Sequence, residues 1–101
     1  MPRFIPLLFA FCTLVQFPLW AQSGTIVSWG SDNQGQVSTT PPGNDFVSIA
    51  GGGNHSLALK TDGSIVSWGR DNYGQVGRTP PATVFVSIAG GAYHSLALLV
   101  D

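Results

Sequence analysis

The chain has 101 residues, a length that allows one domain at most. Its formal net charge is −1. Charged residues make up only 9% of it, which excludes the electrostatic surface that binding to nucleic acid or to an acidic membrane needs. Thirteen glycines and seven prolines beside 44% hydrophobic residues favour short strands joined by tight turns over a disordered chain.

Residues 1–21 have the pattern of a secretory signal peptide. Arg3 supplies a positive charge near the start, residues 5–15 form an apolar core, and Pro18 can end a helix before a cleavage site. We expect cleavage near Ala21. The remaining chain is then expected to be secreted or periplasmic.

Two other interpretations of this leader stay open. One is an uncleaved anchor, although residues 4–20 are a short stretch for a bilayer span. The other is lipid modification of Cys12, which follows the bulky Phe11. Because Cys12 is the single cysteine, a chain without its leader has no disulfide bridge. We expect no stable membrane span after cleavage.

An internal duplication dominates the rest of the sequence. With a shift of 39 residues, residues 25–62 match residues 64–101 at 26 of 38 positions without a gap. We therefore divide the chain into repeat 1 at residues 25–63 and repeat 2 at residues 64–101, which ends at the position of a hairpin turn. One complete structural unit runs from about residue 46 to 77.

The complete unit predicts four short antiparallel strands. The first three are bounded by turn residues and lie at residues 46–50, 55–60 and 64–68, and the first of them is rich in β-branched residues. Gly63 suits the positive φ of a tight hairpin between the second and third strands. Residues 75–77 are expected to form a short outer fourth strand. Pro80 and Pro81 then end strand pairing.

The flanking segments are parts of neighbouring units. Residues 25–37 correspond to the third and fourth strands of a preceding unit, and residues 85–99 to the first and second strands of a following one. Four antiparallel strands in a repeat of about 40 residues are typical of a propeller blade. The predicted fold is all-β, a partial β-propeller of about two blade-equivalents.

At the segments IVSWGxDNxGQV and FVSIAGGxxHSLAL the sequence resembles the repeat of the regulator of chromosome condensation family. The resemblance covers residues 25–101 and implies a propeller that has seven blades in intact members. Because its repeats have no long insertions, the chain also resembles secreted bacterial members of the family, such as beta-lactamase inhibitor protein II. Two blade-equivalents leave three interpretations: a fragment of a longer propeller, a homo-oligomer that pools blades, or an independently stable partial propeller.

The repeated side chains have structural explanations that we prefer to functional ones. Histidines in glycine turns suit hydrogen bonds to the backbone better than a metal site or an acid/base role. Tryptophans in apolar strands suit packing between blades better than a platform for a carbohydrate or a partner. Asp-Asn pairs suit turns, since their spacing differs from a calcium loop. We predict no catalytic, cofactor or metal site, and we assign a structural role to Trp29, Gly30, His55, Trp68, Gly69 and His94.

The turns differ between the copies where the strands do not. Ser31 becomes Arg70, Gln34 becomes Tyr73, Gly53 becomes Ala92 and Asn54 becomes Tyr93. These positions lie in the first and third connections of a blade, which share one end of it. We predict a partner-binding loop face, because aromatic and Arg groups favour binding hot spots; neutral drift is the alternative. The face comprises Ser31, Gln34, Asn54, Arg70, Tyr73 and Tyr93.

Three functions are considered. The first is a secreted, non-catalytic module that binds an unidentified protein, or a glycan, through the loop face. The second is a structural piece of a longer propeller without activity of its own. The resemblance also implies a third, nucleotide exchange on a small GTPase with docking on chromatin, but a secretory leader and the low charge argue against it. No acid/base pair or nucleophile constellation suggests an enzyme.

Overall fold

Five β-strands form the regular structure of residues 22–100, the part of the chain that this computed structural model describes. They are β1 (Phe46–Gly51), β2 (His55–Lys60), β3 (Ile65–Gly69), β4 (Phe85–Gly90) and β5 (Ser95–Leu99). The predicted signal peptide at residues 1–21 and Asp101, the last residue of repeat 2, lie outside the described residues. Within residues 22–100 there is no helix of the length and apolar character that a membrane span needs.

The first sheet has the order β1-β2-β3 and is antiparallel throughout. Its strands confirm the three predicted for the complete unit to within one residue at each end. Gly63 has a φ of 85° in the β2–β3 hairpin, as expected, and its N–H donates to the carbonyl of Lys60 at 2.9 Å. Asp62 supports the same turn, because its carboxylate accepts the backbone N–H of Ser64 at 2.9 Å.

The second sheet, β4-β5, repeats the geometry of β1-β2. Ile49 faces Ala58 in the first sheet, and Ile88 faces Ala97 in the second. Both sheets also show a register shift at the same place, two residues into the first strand. The all-β, partial-propeller fold is therefore confirmed, and the copied segments 46–60 and 85–99 form equivalent pairs of strands.

The predicted fourth strand at residues 75–77 is wrong. The chain makes a tight turn there, in which the N–H of Arg78 donates to the carbonyl four residues earlier at 3.1 Å. The carboxylate of Asp71 accepts the backbone N–H groups of Val76 at 2.9 Å and Gly77 at 2.6 Å. Because these donors are already satisfied, they are not free to pair with a neighbouring strand.

The prediction of two strands in residues 25–37 is also wrong. Residues 25–29 form no strand, and the one bridge in this region joins Gly24 to Phe46. A strand needs a hydrogen-bonded partner, and no described strand pairs with residues 25–29. In the segment that follows, the carboxylate of Asp32 accepts two backbone N–H groups and holds the same kind of turn as Asp71 does one repeat later.

The core lies between two consecutive units. Strand β4 packs against β1 and β2, so that the second sheet covers the first. On the other side of the first sheet, Trp68 is only 6% exposed, and its indole N–H donates to the carbonyl of Gln36 in the preceding unit at 2.8 Å. The buried cluster consists of Phe46, Ala58 and Trp68, with Ile26 and Val66 packed against it.

Backbones of the two sheets approach each other closely at the glycine turns. The N–H of Gly53 donates to the carbonyl of Gly91 at 3.3 Å. A Cβ atom added to Gly90 would lie 2.8 Å from the carbonyl oxygen of Gly51, whereas one added to Gly51 would have nothing within 4 Å. The glycine at position 90 is therefore required by the neighbouring sheet.

His55 links the two sheets through a chain of hydrogen bonds. Its side chain is 2% exposed, and its Nε2 atom lies 3.0 Å from the hydroxyl oxygen of Ser95. The hydroxyl of Ser95 also donates to the carbonyl of Gln75 at 3.1 Å, so Ser95 bridges the ring of His55 and the backbone of Gln75. Burial lowers the pKa of His55 and favours the neutral form of the ring.

Replacing Gly63 with Ala is expected to lower the free energy of unfolding by at least about 1–2 kcal/mol. The left-handed backbone penalises a Cβ atom, and the added atom would clash with the carbonyl oxygen of Thr83. Urea unfolding of the variant measures the loss. The matched control is Gly24→Ala, 39 residues earlier, where nothing lies within 4 Å of an added Cβ. Equal unfolding midpoints for the two variants would contradict the expected difference between Gly63 and Gly24.

The stability of the fold is expected to fall as the pH drops below about 6.5. The pKa of His55 is lowered from its ordinary value of 6.5 by burial, so the unfolded chain binds a proton at higher pH than the folded chain does. Hydrogen bonds lower the pKa values of Asp32, Asp62 and Asp71, whose contribution is lost in a separate range, as the pH falls below about 4.

Thermal unfolding midpoints measured between about pH 4.5 and 7.5 test this expectation. His55→Gln removes the buried titrating group, so its midpoint should change little with pH in this range. Gln34→Ala, at an exposed position without a titrating group, is the control and should keep the wild-type pH dependence. A wild-type slope that persists in His55→Gln would assign the pH dependence to another group.

Candidate functional site

Three residues of the predicted loop face come together in one cluster. The rings of Tyr73 and Tyr93 meet edge to face, with centroids 5.3 Å apart and an interplanar angle of 67°. The guanidinium carbon of Arg70 lies 5.6 Å from the ring centroid of Tyr73 and 5.9 Å from that of Tyr93. Both distances are within the range of cation–π attraction. We call these three residues the aromatic loop cluster.

Two consecutive units position the cluster. Arg70 directly follows β3, and its backbone N–H donates to the carbonyl of Asn54 at 2.9 Å. Tyr73 lies in the turn held by Asp71, and its N–H donates to the side-chain oxygen of Gln75 at 2.8 Å. Tyr93 belongs to the connection between β4 and β5 of the next unit. The cluster therefore forms only when the two units pack together.

The cluster presents its rings to solvent. Tyr73 is 63% exposed and Tyr93 is 59% exposed, although their edges touch. The Nε atom of Arg70 is buried and has no hydrogen-bond partner within the described residues. Mutual packing limits the rotamers of all three side chains. The result is an ordered surface patch that combines apolar rings with a positive charge.

The equivalent positions of the preceding repeat have no such character. The hydroxyl of Ser31 donates to the side-chain oxygen of Asn33 at 3.2 Å. The backbone N–H of Gln34 donates to the side chain of Gln36 at 2.7 Å, in the same way as Tyr73 uses Gln75. Asn54 contributes its carbonyl to Arg70. These three residues provide a polar, uncharged counterpart of the cluster.

The residues assigned structural roles differ in their surroundings. Trp68 and His55 are buried between units, and Gly69 ends β3. Trp29 is 82% exposed although it occupies the position of Trp68 one repeat earlier. Gly30 and His94 are exposed as well. Among residues 22–100, no group of three or more His, Cys, Asp and Glu side chains is arranged to hold a metal ion.

Gln75 contributes to the site but was missed by the sequence analysis. Its side chain is 5% exposed, accepts the N–H of Tyr73 and thus orients the turn that carries the ring. Its carbonyl also accepts the hydroxyl of Ser95 from the next unit. The available signal was a glutamine at the same place in both copies, Gln36 and Gln75, two residues after a variable position.

A cavity of about 340 Å³ opens beside the aromatic loop cluster. Tyr73 and Tyr93 are among its lining residues, and its apolar wall includes Ile65, Phe85 and Ala97. The cavity lies between the first sheet and the free edge of β5. It is therefore bordered by strands as well as by loops.

Residues 46–75 match the family model described as Regulator of chromosome condensation (RCC1) repeat. This range begins with β1 and ends at Gln75, so it contains Arg70 and Tyr73 of the aromatic loop cluster. A search of curated proteins gives no match to the chain. The match agrees with the stacked, antiparallel sheets described above. Over residues 46–75 the chain is thus similar to the repeat of the regulator of chromosome condensation family.

Proposed function

We propose that this chain is a secreted, non-catalytic module that binds a protein through the aromatic loop cluster. The observation that carries the proposal is the contact of Arg70, Tyr73 and Tyr93 across two units, with both rings more than half exposed. Repeats of the matched family generally serve binding and regulation rather than catalysis. The pattern of the leader supports a secreted or periplasmic location for this module.

The chemistry of the cluster favours a protein partner with an apolar patch and an acidic group. Tyrosine rings offer large contact areas and lose little conformational entropy on binding. The outer N–H groups of Arg70 can form charge-assisted hydrogen bonds with a carboxylate. Because the cluster is already ordered by its own contacts, little further ordering is needed when the partner binds. Inhibition of a hydrolase, as implied by the likeness to secreted bacterial members, would be a special case of this function.

A structural role within a larger propeller is the second candidate. The observation in its favour is the exposure of Trp29, whose equivalent Trp68 is buried by a neighbouring unit. A further repeat in the same protein would bury Trp29 in that manner. Under this alternative the aromatic loop cluster is one part of a wider surface, and the activity belongs to the whole propeller.

Alanine at Tyr73 is expected to weaken binding of the partner by about thirty-fold, as at a hot spot that contributes about 2 kcal/mol. The full chain is immobilised, proteins secreted by the source cells are passed over it, and the retained protein is then titrated against each variant. Tyr93→Ala should behave in the same way. Both variants should keep the wild-type unfolding midpoint, because both rings are largely exposed.

Gln34→Ala is the matched control, since residue 34 is the position of Tyr73 in the preceding repeat and carries no ring. The control should retain wild-type affinity. A partner that binds wild type, Tyr73→Ala and Tyr93→Ala equally would show that the cluster is not the binding surface.

A further inference from the structure

We propose that this chain assembles head to tail with further copies of itself. Residues 26–30 of one copy, the donor, add as a third strand beside β5 of the next copy, the acceptor. Trp29 of the donor enters the 340 Å³ cavity of the acceptor. This inference concerns strand edges and does not rest on the function proposed for the aromatic loop cluster.

Each chain carries both halves of the missing contact. Residues 26–30 read IVSWG, the same sequence as β3, and no described strand pairs with them. Residues 95–98 of β5 read SLAL, the same sequence as residues 56–59 of β2. In the first sheet β2 has a strand on each side, whereas β5 has β4 as its one strand partner within the described residues. The unpaired edge and the unpaired segment are thus copies of a pair that the chain already forms.

The existing pair also specifies the register of the new one. Ser56 faces Trp68 and Ala58 faces Val66 in the β2–β3 ladder. Ser95 is the equivalent of Ser56, and Trp29 is the equivalent of Trp68. In the proposed pair Ser95 of the acceptor therefore faces Trp29 of the donor. Ala97 of the acceptor likewise faces Val27 of the donor.

The cavity is lined by the equivalents of the residues that surround Trp68 in the preceding unit. Trp68 is buried in a cluster with Phe46 and Ala58, and Ile26 packs against it. One repeat later the corresponding residues are Phe85, Ala97 and Ile65, and all three line the cavity. Trp29 is 82% exposed in the single chain, so it is available to fill the equivalent place in another copy.

Two polar contacts between units can be formed again across the same boundary. The indole N–H of Trp68 donates to the carbonyl of Gln36, and the equivalent acceptor for Trp29 of the donor is the carbonyl of Gln75. His55 bonds the hydroxyl of Ser95 in the next unit. By the same shift, the exposed His94 of the acceptor reaches Ser56 of the donor. Because the carbonyl of Gln75 accepts the indole N–H of Trp29, the added strand buries no unsatisfied indole N–H.

The contact is heterologous, because the two copies use different surfaces, and it therefore repeats from copy to copy. Each copy adds two units, so a closed ring contains an even number of blades. An open array would leave one donor segment and one acceptor edge unpaired at its ends.

Disulfide trapping in a Cys12→Ser background tests the register. Val27→Cys and Ala97→Cys are placed in separate full chains, which are co-expressed and oxidised. A covalent dimer that contains one chain of each kind is expected, and neither variant should form it alone. The intramolecular pair Ala58→Cys with Val66→Cys is the positive control for this cross-strand position. Leu96→Cys, whose side chain faces the opposite side of the strand, replaces Ala97→Cys as the negative control.

Formation of the control bridge within one chain, without the mixed dimer, would overturn the proposal. That result is also the one expected if a further repeat of a longer protein, rather than a second copy, occupies the cavity. A mixed dimer that forms equally well with Leu96→Cys would contradict the proposed register and hence the proposed strand addition.

Native mass measured by light scattering provides the second test. The wild-type full chain should give a multimer, and Trp29→Ala should reduce it to single chains that keep their β-strand circular dichroism. Gly51→Ala should do the same. A Cβ atom at residue 51 has open space in the single chain, but in the assembly it would clash with the backbone of the acceptor, just as a Cβ atom at Gly90 would clash with Gly51 within one chain. Gln34→Ala is the control and should keep the wild-type mass. A folded wild type with monomeric mass would overturn the proposal, whatever the result for the loop cluster.

Discussion

The burial of Trp68 joins the first sheet to the unit that precedes it. Its ring completes the apolar cluster with Phe46 and Ala58, and its N–H is satisfied by the carbonyl of Gln36 in the preceding unit. Complete burial of one large apolar side chain contributes about 1.5–3 kcal/mol, a substantial share of the stability of so small a domain. A single three-stranded sheet has two faces to cover, so each unit needs a neighbour on either side.

Much of the fold could be predicted from the sequence, because β1 and β3 combine β-branched residues with a glycine at their ends. The three strands of the complete unit and the positive φ of Gly63 were expected and are confirmed. Residues 75–77 were misassigned because three residues carry too little periodicity to distinguish a strand from a turn. The deciding interaction is the carboxylate of Asp71, which captures two N–H groups five and six residues later. A pattern of apolar and polar residues does not show such a contact.

The candidate site was partly visible in the sequence. Comparison of the two copies pointed to Arg70, Tyr73 and Tyr93 as residues of one face, and the structure brings them into contact. Exposure was harder to predict, because Trp29 and Trp68 lie in the same sequence, IVSWG, yet are 82% and 6% exposed. Burial of these residues depends on the unit that lies beside them. Equivalent residues of a repeat therefore differ in exposure when the units beside them differ.

The identity of residues 26–30 and 65–69 also affects how the chain folds. Strand β2 can pair with either segment, but four residues separate it from the second and 24 from the first. Closing the longer loop costs about 1.6 kcal/mol more, which favours the local hairpin by about fifteen-fold. The minority of chains that pair with the distant segment must unpair before β3 can take its place. Sequence identity between repeats thus builds a small kinetic trap into folding, which the short turn at Gly63 keeps sparsely populated.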